Sequence, residues 1–357
     1  MVRARAPYME WAKRRPRPRI DLAGSNLAAC TLDDLPGARD AVDLAGESPD
    51  GYRPLVEAIA ATYGVQPENV ATAPGCSGAN FLAFAALIDA GAEVLVERPV
   101  YDPLVAAVEM LGGRPRFFDR RLEEGFAFDP GRVAAAMTPA TRLIVVSSPH
   151  NPSGALASEA DFAALARVAE RAGALVLVDE VYLDLVSAPR PRPAATLSPV
   201  FVSSNSLTKA YGLSSLRCGW TLASPEVTEW IRRARDVVDV SGAIPAERLA
   251  RLAFERLPAL AERARRIVQA NRRAFDRVLA GHPRLECTPT AATIAFPRFR
   301  DGRDAAPFTD RLMRDRGVAV VPGSFFGAPA HFRIALGGPP GLVAEGLEAV
   351  AETLATV

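Results

Sequence analysis

The sequence predicts an α/β protein: a large unit with a mostly parallel sheet covered by helices on both faces, and a smaller α+β unit made of the C-terminal part and the N-terminal arm. Three observations predict this. Short apolar, β-branched runs alternate with helical stretches from about residue 69 to 223, the pattern of strands buried on both faces. The alternation gives way near residue 241 to a long helical stretch followed by short strands. A chain of 357 residues, 49% hydrophobic and 23% charged, is long enough to bury a large core and to split into two unequal units. The expected division is an arm at 1–40, a large unit at 41–240 and a small unit at 241–357.

In chain order, the first twenty residues are locally basic (Arg3, Arg5, Lys13, Arg14, Arg15, Arg17, Arg19), yet no apolar segment precedes a small-residue cleavage site. Tyr8, Met9 and Trp11 read instead as anchors of an arm packed on protein. Residues 70–73, 93–97, 143–147, 175–179 and 201–204 read as strands. Residues 80–89, 103–111, 159–172 and 226–237 carry apolar side chains at three- and four-residue spacing and read as the crossover helices, with Ser158 and Ser224 as N-terminal caps. The proline-rich stretch 189–199 reads as a loop inside the large unit. Beyond it come one helix over 246–279, strands near 293–296 and 331–336, and helices at 305–315 and 342–353.

Composition narrows the function. A net charge of +1 supplies no general attraction to nucleic acid or anionic membrane, and no apolar run is long enough to span a bilayer. The residues before Ile20 are too few for a winged helix. Cys30, Cys76, Cys218 and Cys287 are widely spaced with no CxxC pair, which fits reduced thiols in a cytoplasmic protein rather than disulfides or a metal site. Small molecules and copies of the chain itself are the expected partners.

Ligands of open α/β sheets bind beyond the carboxyl ends of the strands, and polar residues cluster there. The run at 143–147 leads into Asn151-Pro152-Ser153-Gly154, the run at 175–179 ends in Asp179-Glu180-Val181-Tyr182, and the run at 201–204 leads to Ser206 and Lys209. Gly75 and Ser77 form a small-residue turn suited to a phosphate, because free backbone N–H groups and the helix dipole point at it. Of the 42 lysines and arginines only two are lysine, Lys13 and Lys209. Arginine cannot replace lysine where a neutral amine must attack a carbonyl. Lys209 therefore reads either as a carbonyl-binding amine or, like Lys13, as a chance survivor of arginine bias.

These residues, taken in order from about Ile20 to the C-terminus, resemble the aspartate-aminotransferase-like superfamily of pyridoxal-phosphate enzymes, the class I/II aminotransferases of fold type I. The most specific part is Ser206, Leu207, Thr208, Lys209, Gly212, Leu213, Arg217 and Gly219; Ser215 and Cys218 depart from the commonest choices. The resemblance implies that Lys209 joins the cofactor as an aldimine and then moves a proton, that Asp179 keeps the pyridine nitrogen protonated, and that Asn151 and Tyr182 bond its phenolic oxygen. It implies a phosphate cup of Ser206, Arg217 and the turn of Gly75, Cys76 and Ser77, with Cys76 lending its backbone rather than a reactive thiol. Tyr101 corresponds to the aromatic stacked on the ring, and Arg333 to the arginine gripping the substrate's α-carboxylate bidentately near Asn151. Gly24 or Ser25 corresponds to the N-terminal residue laid against substrate. Singly, each has a structural reading too: Asn-Pro-Ser-Gly is a common turn, Asp179 a strand-end cap, Tyr101 a core residue, Arg333 half of an ion pair.

The resemblance also implies a homodimer with active sites near the interface. The stretch 44–51, where the family carries a tyrosine reaching the neighbouring subunit's phosphate, has none, and Tyr52 follows its glycine. The implied activity is transfer of an amino group between an L-amino acid and a 2-oxo acid by a ping-pong aldimine/ketimine mechanism. A histidinol-phosphate aminotransferase-like enzyme, suggested by Lys209-Ala210-Tyr211-Gly212-Leu213, and a lyase or synthase of specialised metabolism share the same residues.

Overall fold

A computed structural model of the chain describes residues 4–186 and 190–356. Its centre is one seven-stranded sheet: β1 (Val70–Pro74), β2 (Glu93–Arg98), β3 (Arg114–Asp119), β4 (Thr141–Ser147), β5 (Leu175–Asp179), β6 (Phe201–Ser206) and β7 (Cys218–Leu222). The order across the sheet is β1-β7-β6-β5-β4-β2-β3, and β7 alone runs antiparallel to its neighbours. Strand periodicity sends Val94 and Val96 to one face, with Val145, Leu177 and Val202, against Leu82, Phe84, Leu104, Val108 and Ile231 of the helices there. Leu95 points to the other face, where Ile144, Val146, Val176 and Val178 meet Phe162, Leu165 and Ala169. Both faces are apolar, which is why the strands read as continuous hydrophobic runs.

The expected helix over 159–172 is present as Glu159–Ala172, capped by Ser158, whose side chain accepts from the Asp161 N–H; Ser224 likewise caps Pro225–Val238 through the Val227 N–H. The expected single helix over 246–279 is instead Ile244–Glu255, Leu257–Phe275 and a wide turn at Asp276–Ala280. Pro258, which has no N–H to give the preceding turn, breaks it. Strands β3 and β7 are additional to the sequence reading. Of the proline-rich stretch, Pro189 lies outside the described residues, and the remainder holds a short 3-10 turn at Ala194–Thr196.

A separate core gathers Phe275, Leu279, Phe299, Phe308, Leu312, Phe332, Ile334, Leu347 and Val350 with Ile20 and Leu22 from the N-terminus. Ile20–Asp21 pairs in parallel with Val318–Ala319, and Phe332–Ala335 is the middle strand between Ile294–Ala295 and Val321–Pro322. The helix Ile244–Glu255 packs the other way, burying Ala250, Ala253 and Phe254 with Leu55, Ile59 and Trp220 beside the large sheet. Among the described residues no helix is long and apolar enough to cross a membrane, and all four cysteines are free.

Candidate active site

The carboxyl ends of β4, β5 and β6 face a cavity of about 410 Å3, closed on its far side by residues 24–26 and the arm helix Pro7–Arg14. After β6 the chain turns sharply, with Leu207 fully buried, and Lys209 projects into the cavity. Its Nζ donates to Ser25 Oγ and Asn26 Oδ1, each at 2.7 Å. Desolvation, reinforced by the positive charges of Arg333 and Arg217 and opposed by Asp179 and Cys76, pushes its pKa down from 10.5 to about 7. Near neutral pH a large share of Lys209 is therefore free amine, able to attack a carbonyl.

Asp179 ends β5 and is almost wholly buried. Burial raises its pKa, while hydrogen bonds from the Asn80 amide, the Val181 N–H and the Cys76 thiol partly restore the carboxylate. Asn80 Nδ2 lies 2.9 Å from Oδ2 and the Val181 N–H 3.1 Å from Oδ1. Asn80 is itself fixed by Ser204 Oγ, which donates to its Oδ1 at 2.5 Å. The Cys76 thiol is pushed far above its ordinary pKa, by burial first and by Asp179 next, so it is no nucleophile at neutral pH.

Strand β1 runs straight into the helix Gly75–Leu87. Its first N–H groups have no intrahelical acceptors, and the positive end of the helix dipole opens on the cavity. The direct entry requires a left-handed residue, and Gly75 has φ +77°. Arg217, itself left-handed at φ +48°, lays its guanidinium across this turn, with Nη2 3.1 Å from the Pro74 carbonyl. A built anion seat results: helix N-terminus on one side, guanidinium on the other.

The wall opposite belongs to Asn151 and Tyr101. Asn151 is held by its N–H on Ser147 Oγ at 3.1 Å, and Ser147 Oγ donates to the buried Glu97, which pairs with buried Arg120 at 2.8 Å. Tyr101 lies with its hydroxyl 3.3 Å from Met9 Sδ, and burial raises its pKa. Tyr182 is fully buried behind the wall; among the described residues its hydroxyl makes no well-formed hydrogen bond, Ser25 being the neighbour that steadies its anion, and desolvation pushes its pKa up to about 12. Arg333, also fully buried, donates from Nη1 to Asn151 Oδ1 at 3.0 Å and from Nη2 to Tyr8 Oη at 2.7 Å and the Ala23 carbonyl at 3.0 Å.

Of the residues singled out from the sequence, Gly24, Ser25, Cys76, Ser77, Tyr101, Asn151, Asp179, Ser206, Lys209 and Arg217 line the cavity. Gly75, Tyr182 and Arg333 stand directly behind its lining. The sequence reading missed Asn80, Tyr8, Asn26, Thr208 and Ser214. Asn80 carried a signal: it is the one amide in the otherwise small and apolar helix Gly75–Leu87, one turn after Cys76. Tyr8 carried none beyond its place as an arm anchor.

A family model described as aminotransferase class I and II matches residues 45–350. The chain belongs to that family. Capreomycidine synthase of Streptomyces vinaceus is 33% identical over 98% of this chain and 94% of its own length. The solved aspartate aminotransferase of Thermus thermophilus with maleate is 26% identical, with a TM-score of 0.87 over 98% of this chain and 94% of that one. A pyridoxal-phosphate-dependent aminotransferase from Streptococcus suis has a TM-score of 0.92 at 24% identity, over 100% of this chain and 99% of that one. As a class I/II aminotransferase family member the chain is an enzyme of the nitrogen-transferring kind, and its cofactor is pyridoxal phosphate.

Proposed function

We propose that this enzyme moves an amino group between an L-amino acid and a 2-oxo acid in two half-reactions, with Lys209 as the residue that binds the cofactor and shuttles the proton. The observation that carries this reading is the pairing, in one cavity, of an amine whose pKa has fallen to about 7 with a buried carboxylate. The remaining residues fit the cofactor's other groups. The buried Tyr182 hydroxyl, which has no well-formed hydrogen bond among the described residues, and the Asn151 amide suit its phenolic oxygen, and the Gly75, Cys76 and Ser77 turn with Ser206 and Arg217 suits its phosphate. Tyr101 suits its ring face.

Bound pyridoxal phosphate supplies an electron-accepting ring that weakens the bonds at the substrate's Cα. The protein's own part is positional and acid–base. Asp179, opposed by burial, gains most from a cationic neighbour and so favours a protonated ring nitrogen. Lys209, as a free amine beside the substrate, would be the base for the Cα proton. Arg333 and Asn151 hold the substrate carboxylate, with Gly24 and Ser25 closing the site from the N-terminal segment.

The division into an arm at 1–40, a cofactor-binding unit at 41–240 and a small unit at 241–357 is part of the same reading; the separate core around Phe332 supports it, with the large unit's packing continuing through Ile244–Glu255. So is a cytoplasmic homodimer, for which the exposed Leu44, Val237, Val238 and Val240 offer apolar surface. Light scattering reads the oligomer directly.

One observation favours a second reading, a synthase that keeps the amine in its product: a relative matched over nearly the whole chain is named a synthase. Incubating the holoenzyme with a panel of amino acids, ¹⁵N-labelled at the α-amine, separates the two. Appearance of a 2-oxo acid and passage of the label to a second oxo acid supports transamination. Label retained in a rearranged or cyclised product, or released as ammonia, refutes it.

A further inference from the structure

The arm residue Tyr8 has no role in the site so far described, yet it stands between Arg333 and the cavity. Arg333 is fully buried and does not itself line the cavity, whereas Tyr8 and Asn151, both bonded to it, do. The hydrogens of the guanidinium can be counted. Nη2 has two, and both are engaged, one by Tyr8 Oη at 2.7 Å and one by the Ala23 carbonyl at 3.0 Å. Nη1 gives one of its two to Asn151 Oδ1, and the single Nε hydrogen has no partner among the described residues. Stacking fixes the group in this pose, because its carbon lies 5.1 Å from the Tyr8 ring centre and 4.9 Å from that of Phe326. A carboxylate entering the cavity finds no pair of free Nη hydrogens on Arg333.

The Tyr8 hydroxyl, however, has a proton to give. Its oxygen accepts from the cation, which polarises the O–H, and its single acceptor among the described residues is the Ala23 carbonyl at 3.4 Å, already bonded more closely by Arg333. Two sets of contacts hold the arm in place: the Tyr8 N–H donates to Asp102 Oδ2 at 2.8 Å, and the ring packs against Trp11, Tyr101, Phe325 and Phe326.

We propose that Tyr8 is a substrate-binding residue, its hydroxyl donating to the substrate's α-carboxylate beside the remaining Nη1 hydrogen of Arg333. The arm thereby completes the carboxylate seat. This rests on the reading of Arg333 as the carboxylate residue, and the experiment keeps the two apart. Two probes differ in the carboxylate: 2-aminoisobutyrate, which has no Cα proton to lose, and isopropylamine. Each is titrated into the holoenzyme and its Tyr8→Phe and Arg333→Leu variants, following the cofactor's visible absorption. Tyr8→Phe keeps the ring and its packing, and retained cofactor absorption verifies the fold.

Loss of one hydrogen bond to a charged group predicts roughly ten-fold weaker binding of 2-aminoisobutyrate to Tyr8→Phe, with isopropylamine unchanged. Equal weakening of both probes reduces Tyr8 to packing and overturns the proposal. Tighter binding of 2-aminoisobutyrate also overturns it, because the hydroxyl was then competing with substrate for Arg333. If Arg333→Leu leaves 2-aminoisobutyrate binding unchanged, it is the underlying assignment of Arg333 that fails. No outcome depends on which amino acid the enzyme turns over.

Discussion

Replacing Gly75 with alanine isolates the anion seat. A Cβ at this position lies 2.7 Å from Arg217 Cζ and closer still to Nη2, with φ at +77°. The left-handed backbone costs an alanine about 1 kcal/mol of stability whether or not cofactor is bound. The collision acts differently: the guanidinium must swing off the turn, surrendering its 3.1 Å bond to the Pro74 carbonyl and its place beside the helix start. Loss of one charge-assisted bond to a phosphate is worth about 2 kcal/mol, so pyridoxal phosphate affinity should fall about 30-fold. Gly64→Ala is the control, because Gly64 has φ +68° and nothing within 4 Å of a built Cβ. It should lose about 1 kcal/mol of stability and no affinity. Cofactor-free protein is titrated with pyridoxal phosphate by absorbance, and stability is read from urea melts. Cofactor affinity of Gly75→Ala within two-fold of the parent, or an equal loss in Gly64→Ala, refutes the seat.

Three further outcomes test the site and its supports. Lys209 is charged more reluctantly in the folded protein than in the unfolded chain, so the folded state binds fewer protons between about pH 7 and 10.5 and stability rises with pH across that window. Lys209→Met should therefore stabilise the cofactor-free protein by roughly 3 kcal/mol at and below pH 7, after allowance for partial exposure, with the gain vanishing towards pH 10.5; a gain independent of pH in urea melts contradicts the shifted amine. Asn80→Leu removes a donor from Asp179 and strands Ser204, and should lower kcat about ten-fold or more while leaving the cofactor bound, measured by single-turnover rates on any amino acid that reacts. Arg120→Met leaves Glu97 charged and buried without its ion-pair partner, costing about 3–5 kcal/mol in denaturant melts, whereas Glu97→Gln combined with Arg120→Met should cost clearly less.

The sheet was legible where strands are apolar runs. Val94 to Val96, Ile144 to Val146 and Val176 to Val178 are covered on both faces, so burial writes itself into the sequence as unbroken β-branched runs. The edge strand β3 has a neighbour on one side only and carries Arg114, Pro115 and Arg116, which no apolar pattern reveals. Strand β7, Cys218–Leu222, includes Gly219 and Thr221 and has no unbroken β-branched run, so it does not declare itself beside the lysine segment. The helix break at Pro258 was there to be read, since a proline ends the turn before it whatever the surroundings.

The alternating architecture, the candidate amine and carboxylate, and the glycine turn could be read from the residues alone, because hydrophobic period, residue chemistry and a left-handed backbone are local properties. Only the tertiary structure decided what surrounds them. Lys209 becomes a partly neutral amine because the fold desolvates it and brings up Arg333 from a position distant in the chain, adding to Arg217 a few residues on. Asn80 meets Asp179 across 99 residues and Tyr8 meets Arg333 across 325. Electrostatic and hydrogen-bond terms depend on distance in space and on exclusion of water, neither of which a linear order of residues contains.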